Sequence, residues 1–267
     1  MRRSTVLAVA AAAVSLVALV GCTDDAAPAA SSTAPASTPT ATVTPTPTAV
    51  ATPTPTATAT AVATTEGGVI DPEKALALAE KTPYAATQDF TTEGGPISAL
   101  TKARVNLNGP VRSGRLAESM SAGGTDVIGS GSDSPTVVVT DDGTTYIKSG
   151  SSWRTSPLGD RIPDYHGYAK ALLALGPSAR TGMEDCEGTP CYHLSGTVGL
   201  EPMKAVEPEQ YKILKGKGVE SFQLDQWIDA QGRTVRYDRK TELRGIQVRT
   251  HGTFRDFGPV EKVDPPR

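Results

Sequence analysis

Residues 219–240 read VESFQLDQWIDAQGRTVRYDRK, two alternating runs of residues joined by a short turn. In the first run, Phe222 and Leu224 fall on one face of an extended chain, with polar side chains on the other. The second run continues the alternation and places Val235 and Tyr237 opposite charged residues. Because side chains in a strand alternate with a period of two, the segment predicts an antiparallel hairpin with one wet and one covered face.

The same pattern extends over most of the chain after residue 69. We expect about ten strands, separated by turn signals such as Asp141-Asp142-Gly143. Helices are predicted from Asp71-Pro72-Glu73, where an N-cap aspartate precedes a proline, and over 162–175 and 202–214. Sequential strands with short turns favour one α+β domain over 69–267, in which an antiparallel sheet is covered on one face by the helices.

The first residues have the features of a secretory signal. Arg2 and Arg3 precede an uncharged, alanine-rich run that is too short and too weakly apolar for a membrane-spanning helix. The run ends in Leu19-Val20-Gly21-Cys22, which resembles the lipobox of bacterial lipoproteins. That resemblance implies a cleaved signal peptide over 1–21 and a lipid anchor on Cys22 at the extracytoplasmic face of the cell membrane. The alternative is an ordinary leader with a chance cysteine at its border.

Residues 22–68 have a composition of their own. Alanine, threonine and proline fill 35 of the 43 positions from 23 to 65, and no aromatic residue occurs there. Since such a tract lacks the apolar surface for a core, we expect a disordered tether that spans roughly 35 Å as a flexible coil. Its Thr-Pro density is compatible both with O-glycosylation and with an unmodified spacer.

Three cysteines are an odd number for an exported protein. If Cys22 carries lipid, Cys186 and Cys191 remain, and they are separated by the turn-forming stretch Glu187-Gly188-Thr189-Pro190. Export places them in an oxidising compartment, so we expect a disulfide between them. The alternative, a metal site, would need two further ligands, and only His193 is close in sequence.

The charge balance argues against nucleic acid as a partner. Without Arg2 and Arg3, 24 basic residues face 29 acidic ones, so the mature chain is near −5 and has no basic stripe. No second apolar stretch of spanning length follows the leader. We therefore expect a monomer that contacts the membrane only through its lipid anchor and needs no metal or cofactor.

Three segments carry a family resemblance. They are Thr145–Trp153, Cys191–Val198 and Leu224–Arg236. Together with the lipobox and the tether, they resemble actinobacterial lipoproteins of the LppX/LprG type, which are relatives in fold of the LolA and LolB lipoprotein carriers. The resemblance covers roughly residues 69 to 257.

The resemblance implies an antiparallel half-barrel wrapped around helices, with an apolar cavity that takes the acyl chains of lipids or lipid-linked glycans. The candidate ligand-binding residues of this cavity are Val105, Leu107, Ile147, Leu172, Leu173, Leu194, Phe222, Leu224, Val235 and Tyr237. For each of them, plain core packing is the alternative. The chain departs from the pattern in its low aromatic content of 5%, which favours a small cavity or one filled by its own side chains.

Two other classes of function compete with lipid binding. An enzyme would need a catalytic constellation, and the nearest approach is His193 with Ser195, two residues apart on one strand but without an orienting base. No nucleophile elbow, phosphate-binding loop or zinc-protease motif occurs, so we predict that the chain is not an enzyme. The second alternative is an envelope-sensing or protein-binding module of the same fold, which would have a polar groove in place of the apolar cavity.

Overall fold

A computed structural model describes residues 63–64, 68–123, 125–128, 136–157 and 161–267. The predicted signal peptide, the lipidation site at Cys22 and nearly all of the predicted tether lie outside these residues. Within them, ordered contacts begin ahead of the predicted domain start at residue 69. Ala63 is buried and donates a backbone hydrogen bond to Ala230, and Thr64 bridges to Ile70. Ala63 and Thr64 therefore contact the residues that follow, although both precede the predicted domain start.

Twelve strands in the described residues form a single antiparallel sheet. They are Tyr84–Gly94 (β1), Ile97–Leu107 (β2), Ser113–Ala122 (β3), Thr125–Ile128 (β4), Val137–Val139 (β5), Thr145–Ser149 (β6), Ser152–Ser156 (β7), Arg180–Cys186 (β8), Thr189–Gly199 (β9), Ser221–Ile228 (β10), Thr234–Leu243 (β11) and Ile246–Gly258 (β12). The predicted α+β class with an antiparallel half-barrel sheet is confirmed.

The strand order is β7-β6-β5-β3-β2-β1-β12-β11-β10-β9-β8, with β4 paired only to β3. The sheet thus consists of two meanders, β1 to β7 and β8 to β12, which are joined where β1 pairs with β12. The sheet does not close, because β7 and β8 lie at its opposite edges. The chain must cross from one edge to the other between them, and this crossing segment carries a helix over the sheet.

Four helices in the described residues accompany the sheet. They are Pro72–Ala79 (α1), Tyr165–Leu173 (α2), Met203–Val206 (α3) and Pro208–Gly216 (α4), with a 3₁₀ turn at Pro177–Ala179. None of them is long and apolar enough to cross a membrane. The N-cap of α2 is Asp164, whose carboxylate accepts the backbone N–H of Gly167, so the start of this helix is fixed locally.

Candidate functional site

The concave face of the sheet, covered by the helices, holds the main core. Nine of the ten predicted cavity residues lie in this core or pack against it. Leu172, Leu194 and Leu224 have no exposed surface, and Phe222 and Tyr237 are 2% exposed. A residue that lined an open cavity would keep surface that water could reach. At these positions the interior is therefore filled by the protein's own side chains.

Aromatic rings fill the centre of the concave face. The ring centroid of Tyr165 on α2 lies 4.8 Å from that of Phe254, 5.2 Å from that of Tyr237 and 5.7 Å from that of Phe90. Edge-to-face contacts of this kind add about 0.5–1.5 kcal/mol each beyond the area that they bury. Helix α2 is thus held on the sheet by side-chain packing. The helix predicted over 162–175 contains Tyr165, whereas Phe90 and Phe254 were not among the predicted residues.

A glycine makes room for part of this cluster. Gly252 on β12 pairs with Phe90 on β1 and with Tyr237 on β11, so the three residues form one cross-strand row. The rings of Phe90 and Tyr237 stack across it, with centroids 5.8 Å apart and planes 7° apart. A Cβ atom on Gly252 would overlap the Asp89 carbonyl oxygen and the Phe90 ring. Only glycine permits this close approach of the strands and rings.

The tenth predicted residue, Val235, was placed on the wrong face. Trp227 pairs with Arg236, but Ile228 pairs with Thr234, so Val235 is the extra residue of a β-bulge. The bulge interrupts the alternation on which the prediction depended. Val235 instead lies with Cys191 and Trp227 in a separate apolar cluster.

A polar chain runs through the interior beneath α2. Glu207, the residue before α4, is 5% exposed and accepts hydrogen bonds from the backbone N–H of Asp164 (2.8 Å) and from the hydroxyl of Tyr168 (2.5 Å). Arg239 on β11 donates from Nη1 to the Tyr168 oxygen at 3.3 Å. Burial raises the pKa of the Tyr168 hydroxyl well above its usual value, so it stays protonated and can make both contacts. This chain ties α2, α4 and β11 together.

The outer face of the same meander carries a stacked row of side chains. The indole of Trp227 lies between His193, whose ring centroid is 4.2 Å away, and the guanidinium carbon of Arg236, 4.4 Å from its centroid. Glu184 accepts hydrogen bonds from the Trp227 indole (2.7 Å), and its other oxygen lies 2.7 Å from Nδ1 of His193. The hydrogen bond from Trp227, followed by the interactions with His193 and Arg236, outweighs burial and lowers the pKa of Glu184.

The ring nitrogens of His193 are thus placed against carboxylates. Nε2 lies 3.1 Å from Asp225 and Nδ1 contacts Glu184, so neither nitrogen is hydrogen-bonded to Ser195 among the described residues. The pair that came nearest to a catalytic arrangement in the sequence is part of this surface network. Within the described part of the chain, no group of three or more His, Cys, Asp or Glu residues is arranged to hold a metal.

Cys186 and Cys191 form a disulfide, with the two Cα atoms 5.9 Å apart. It joins β8 to β9 across their turn, and Cys191 is fully buried against Trp227 and Val235. Beside it, an outer-face groove of about 620 Å³ extends between the β8–β9 hairpin and the end of β12. The groove is lined by both signs of charge, including Asp185, Glu187 and Arg255.

Comparisons with known proteins give partial likenesses. No family model matches the chain. A protein of 31.2 kDa from the rplA–rplJ intergenic region of Streptomyces griseus, described as uncharacterised, is 31% identical over 104 residues. The match covers 35% of this chain and 34% of that protein, so the chain spans about a third of the relative's length.

Two solved structures resemble the fold at low sequence identity. LprF from Mycobacterium bovis has a TM-score of 0.40 and 14% identity, covering 73% of this chain and 94% of that one. The lipoprotein LppX from Mycobacterium tuberculosis has a TM-score of 0.36 and 15% identity, covering 72% of this chain and 99% of that one. LppX is one of the two proteins after which the lipoprotein type in the sequence analysis is named.

Proposed function

We propose that this chain is an exported lipoprotein, anchored through Cys22 and carried on the tether over 22–68, whose half-barrel binds acylated ligands between the sheet and its helices. The observation that carries the proposal is the way the concave face is covered. Helix α2 is held there by the side chains of Tyr165, Tyr168 and Leu172, and no backbone ladder joins it to the strands. Helix α2 can therefore separate from the sheet without any backbone hydrogen bond between strands being broken.

The energies are compatible with a ligand that displaces this cover. Exposing the three large buried side chains of α2 would cost about 6 kcal/mol, at about 2 kcal/mol each, before its ring contacts and hydrogen bonds to the sheet are counted. Burying two chains of around sixteen carbons is worth roughly 25 kcal/mol before the costs of ordering and binding, at about 0.8 kcal/mol per methylene. A diacyl ligand thus carries enough apolar surface to replace the packing of α2. A single chain of fewer than about eight carbons does not.

Native mass spectrometry of the full chain bearing Cys22→Ser tests the proposal, because this change removes the predicted lipid acceptor and leaves the domain intact. We expect adducts that organic extraction releases as acylated molecules, and uptake of a fluorescent diacyl probe by the emptied protein. Neither an extractable lipid nor probe uptake would leave the proposal without support.

A second candidate is the protein-binding or sensing module, which the charged outer-face groove favours. In that case the partner would contact the rim formed by the β8–β9 hairpin. A chain that takes up no acyl probe, yet is cross-linked to an envelope protein through Glu187→Cys, would favour this candidate over lipid binding.

A further inference from the structure

Arg239 is a buried arginine that bonds to no carboxylate directly among the described residues. Its side chain lies under the helices on the concave face, and the whole residue is 8% exposed. Its one hydrogen bond within the described residues goes to the Tyr168 hydroxyl, and no ion pair joins it to a carboxylate there. A guanidinium has five N–H donors and stays charged at every physiological pH. A buried charge in this condition is costly and calls for an explanation.

Arg161, another arginine whose side chain is little exposed, shows the usual solution. The Arg161 side chain is 4% exposed, and its Nη2 donates to both carboxylate oxygens of Glu118, at 2.9 and 2.7 Å. Arg239 has no such partner. The charge of Glu207 acts on Arg239 across the Tyr168 hydroxyl, without a direct hydrogen bond between the two side chains.

The strands beside Arg239 supply hydroxyl groups on the same face. Arg239 pairs directly with Thr250 on β12, which in turn pairs with Thr92 on β1. Directly paired residues project to one side of a sheet, and the hydroxyl oxygens of Thr92 and Thr250 lie 3.0 Å apart. On its other side, Arg239 pairs with Leu224, and its guanidinium carbon lies 5.9 Å from the centroid of the Phe222 ring.

We infer that Arg239, with the hydroxyls of Thr92 and Thr250, binds the oxyanion at the head of an acidic amphiphile, whose acyl chain lies along the apolar concave face. A guanidinium flanked by hydroxyl donors is suited to a carboxylate or a phosphate, since charge-assisted hydrogen bonds are the stronger kind. An uncharged glycan head could accept hydrogen bonds but would give the Arg239 guanidinium no bonded counter-charge. This inference rests on the proposed function, because the acyl chain needs the half-barrel interior.

The test uses three probes with the same ten-carbon chain: decanoate, decyl phosphate and decanol. Each is titrated by calorimetry into the full-length Cys22→Ser protein, and acetate and inorganic phosphate serve as heads without a chain. We expect both acidic probes to bind at least tenfold more tightly than decanol. Arg239→Met should remove this preference and leave decanol binding within twofold. The tighter of the two acidic probes tells whether the head is a carboxylate or a phosphate.

Lys240→Met is the matched control, since Lys240 is the next residue on β11 and projects from the opposite face. It should leave all three affinities within twofold. If Arg239→Met bound the acidic probes as the parent does, the inference would be wrong while half-barrel binding survived. If the parent bound none of the three ten-carbon probes and no diacyl probe, the proposed function would fail and this inference with it.

A measurement on the parent protein tests the inference without depending on whether the Arg239→Met variant folds. The Nε–H resonance of Arg239, assigned by its loss in a conservative Arg239→Lys variant, should shift on titration with decanoate and stay in place with decanol. An unchanged resonance at saturating decanoate would overturn the inference without reference to Arg239→Met.

Discussion

On the concave face of the sheet, rings and aliphatic side chains pack against α2, and a glycine at position 252 sets the distance between neighbouring strands. On the outer face of the same strands, the row of His193, Trp227 and Arg236 is arranged by hydrogen bonds and charges. The concave face depends on shape, so it should tolerate little added volume. The outer face depends on pairing in partial contact with water, so individual losses there should be small.

The largest effect is expected where volume is added to the concave face. In Gly252→Ala, the new Cβ must displace the Asp89 carbonyl and the ring of Phe90, so we expect a loss of about 3 kcal/mol or more in the free energy of unfolding. Gly199→Ala on β9 is the control, because a Cβ there meets nothing within 4 Å. Urea unfolding of the two variants measures the difference, and equal losses would contradict the assignment of the strain to this row.

Removing the disulfide should have a smaller effect. A cross-link over so short a loop restricts the unfolded chain by about 2 kcal/mol in the loop-entropy estimate. We therefore expect Cys186→Ala combined with Cys191→Ala to lower the free energy of unfolding by about that amount. Urea unfolding of the parent with and without reductant provides a comparison that changes no side-chain volume. A loss as large as that of Gly252→Ala would mean that the outer face is also closely packed.

Arg239→Met is expected to act in the opposite direction on stability. Replacing a buried charge that bonds to no carboxylate directly by an apolar side chain of similar length removes a desolvation cost, so the protein should gain about 1 kcal/mol. Thermal unfolding of the ligand-free protein, compared with Lys240→Met, measures this gain. A loss of more than about 1 kcal/mol would instead show that the Tyr168 contact makes Arg239 a structural residue.

The smallest effect is expected at Glu184 and should depend on pH. Because the pKa of Glu184 is lowered below the usual glutamate value of 4.5 in the folded protein, its carboxylate stabilises the fold above that value. This contribution is lost as the pH falls through the lowered pKa. We expect Glu184→Gln to cost up to about 1 kcal/mol at pH 7, since the side chain is 42% exposed, and close to nothing at pH 2. A cost that was the same at both pH values would exclude the ionised carboxylate as its source.

Local sequence patterns predicted most of the strands but not how the sheet is assembled. Alternation located β10, β11 and β12, because each strand needs only its own residues to define two faces. The pairing of β1 with β12 joins the first and last strands of the sheet, and no local pattern encodes a contact at that separation. The bulge at Val235 was missed for a related reason, since it is defined by the partner strand.

The candidate site shows the same division. The period of two places Arg239 on the covered side, in line with Tyr237, so a signal for a buried arginine was present in the sequence. What the sequence could not supply was the contact with Tyr168, which depends on where the crossing segment lays α2 over the sheet. The burial of Arg239 and its lack of a directly bonded carboxylate can be recognised only when β11 and α2 are both in place.

The disulfide has a consequence for how copies of this protein meet one another. It fastens β8, the last strand at its edge of the sheet, to β9. A strand at an open edge is where one copy of a protein can exchange segments with another or begin to aggregate. Because the cross-link holds the turn end of β8 against β9, β8 is less free to separate from its neighbour and pair with another copy. At the high local concentration that the proposed lipid anchor would produce, the cross-link favours separate molecules over molecules that have exchanged strands.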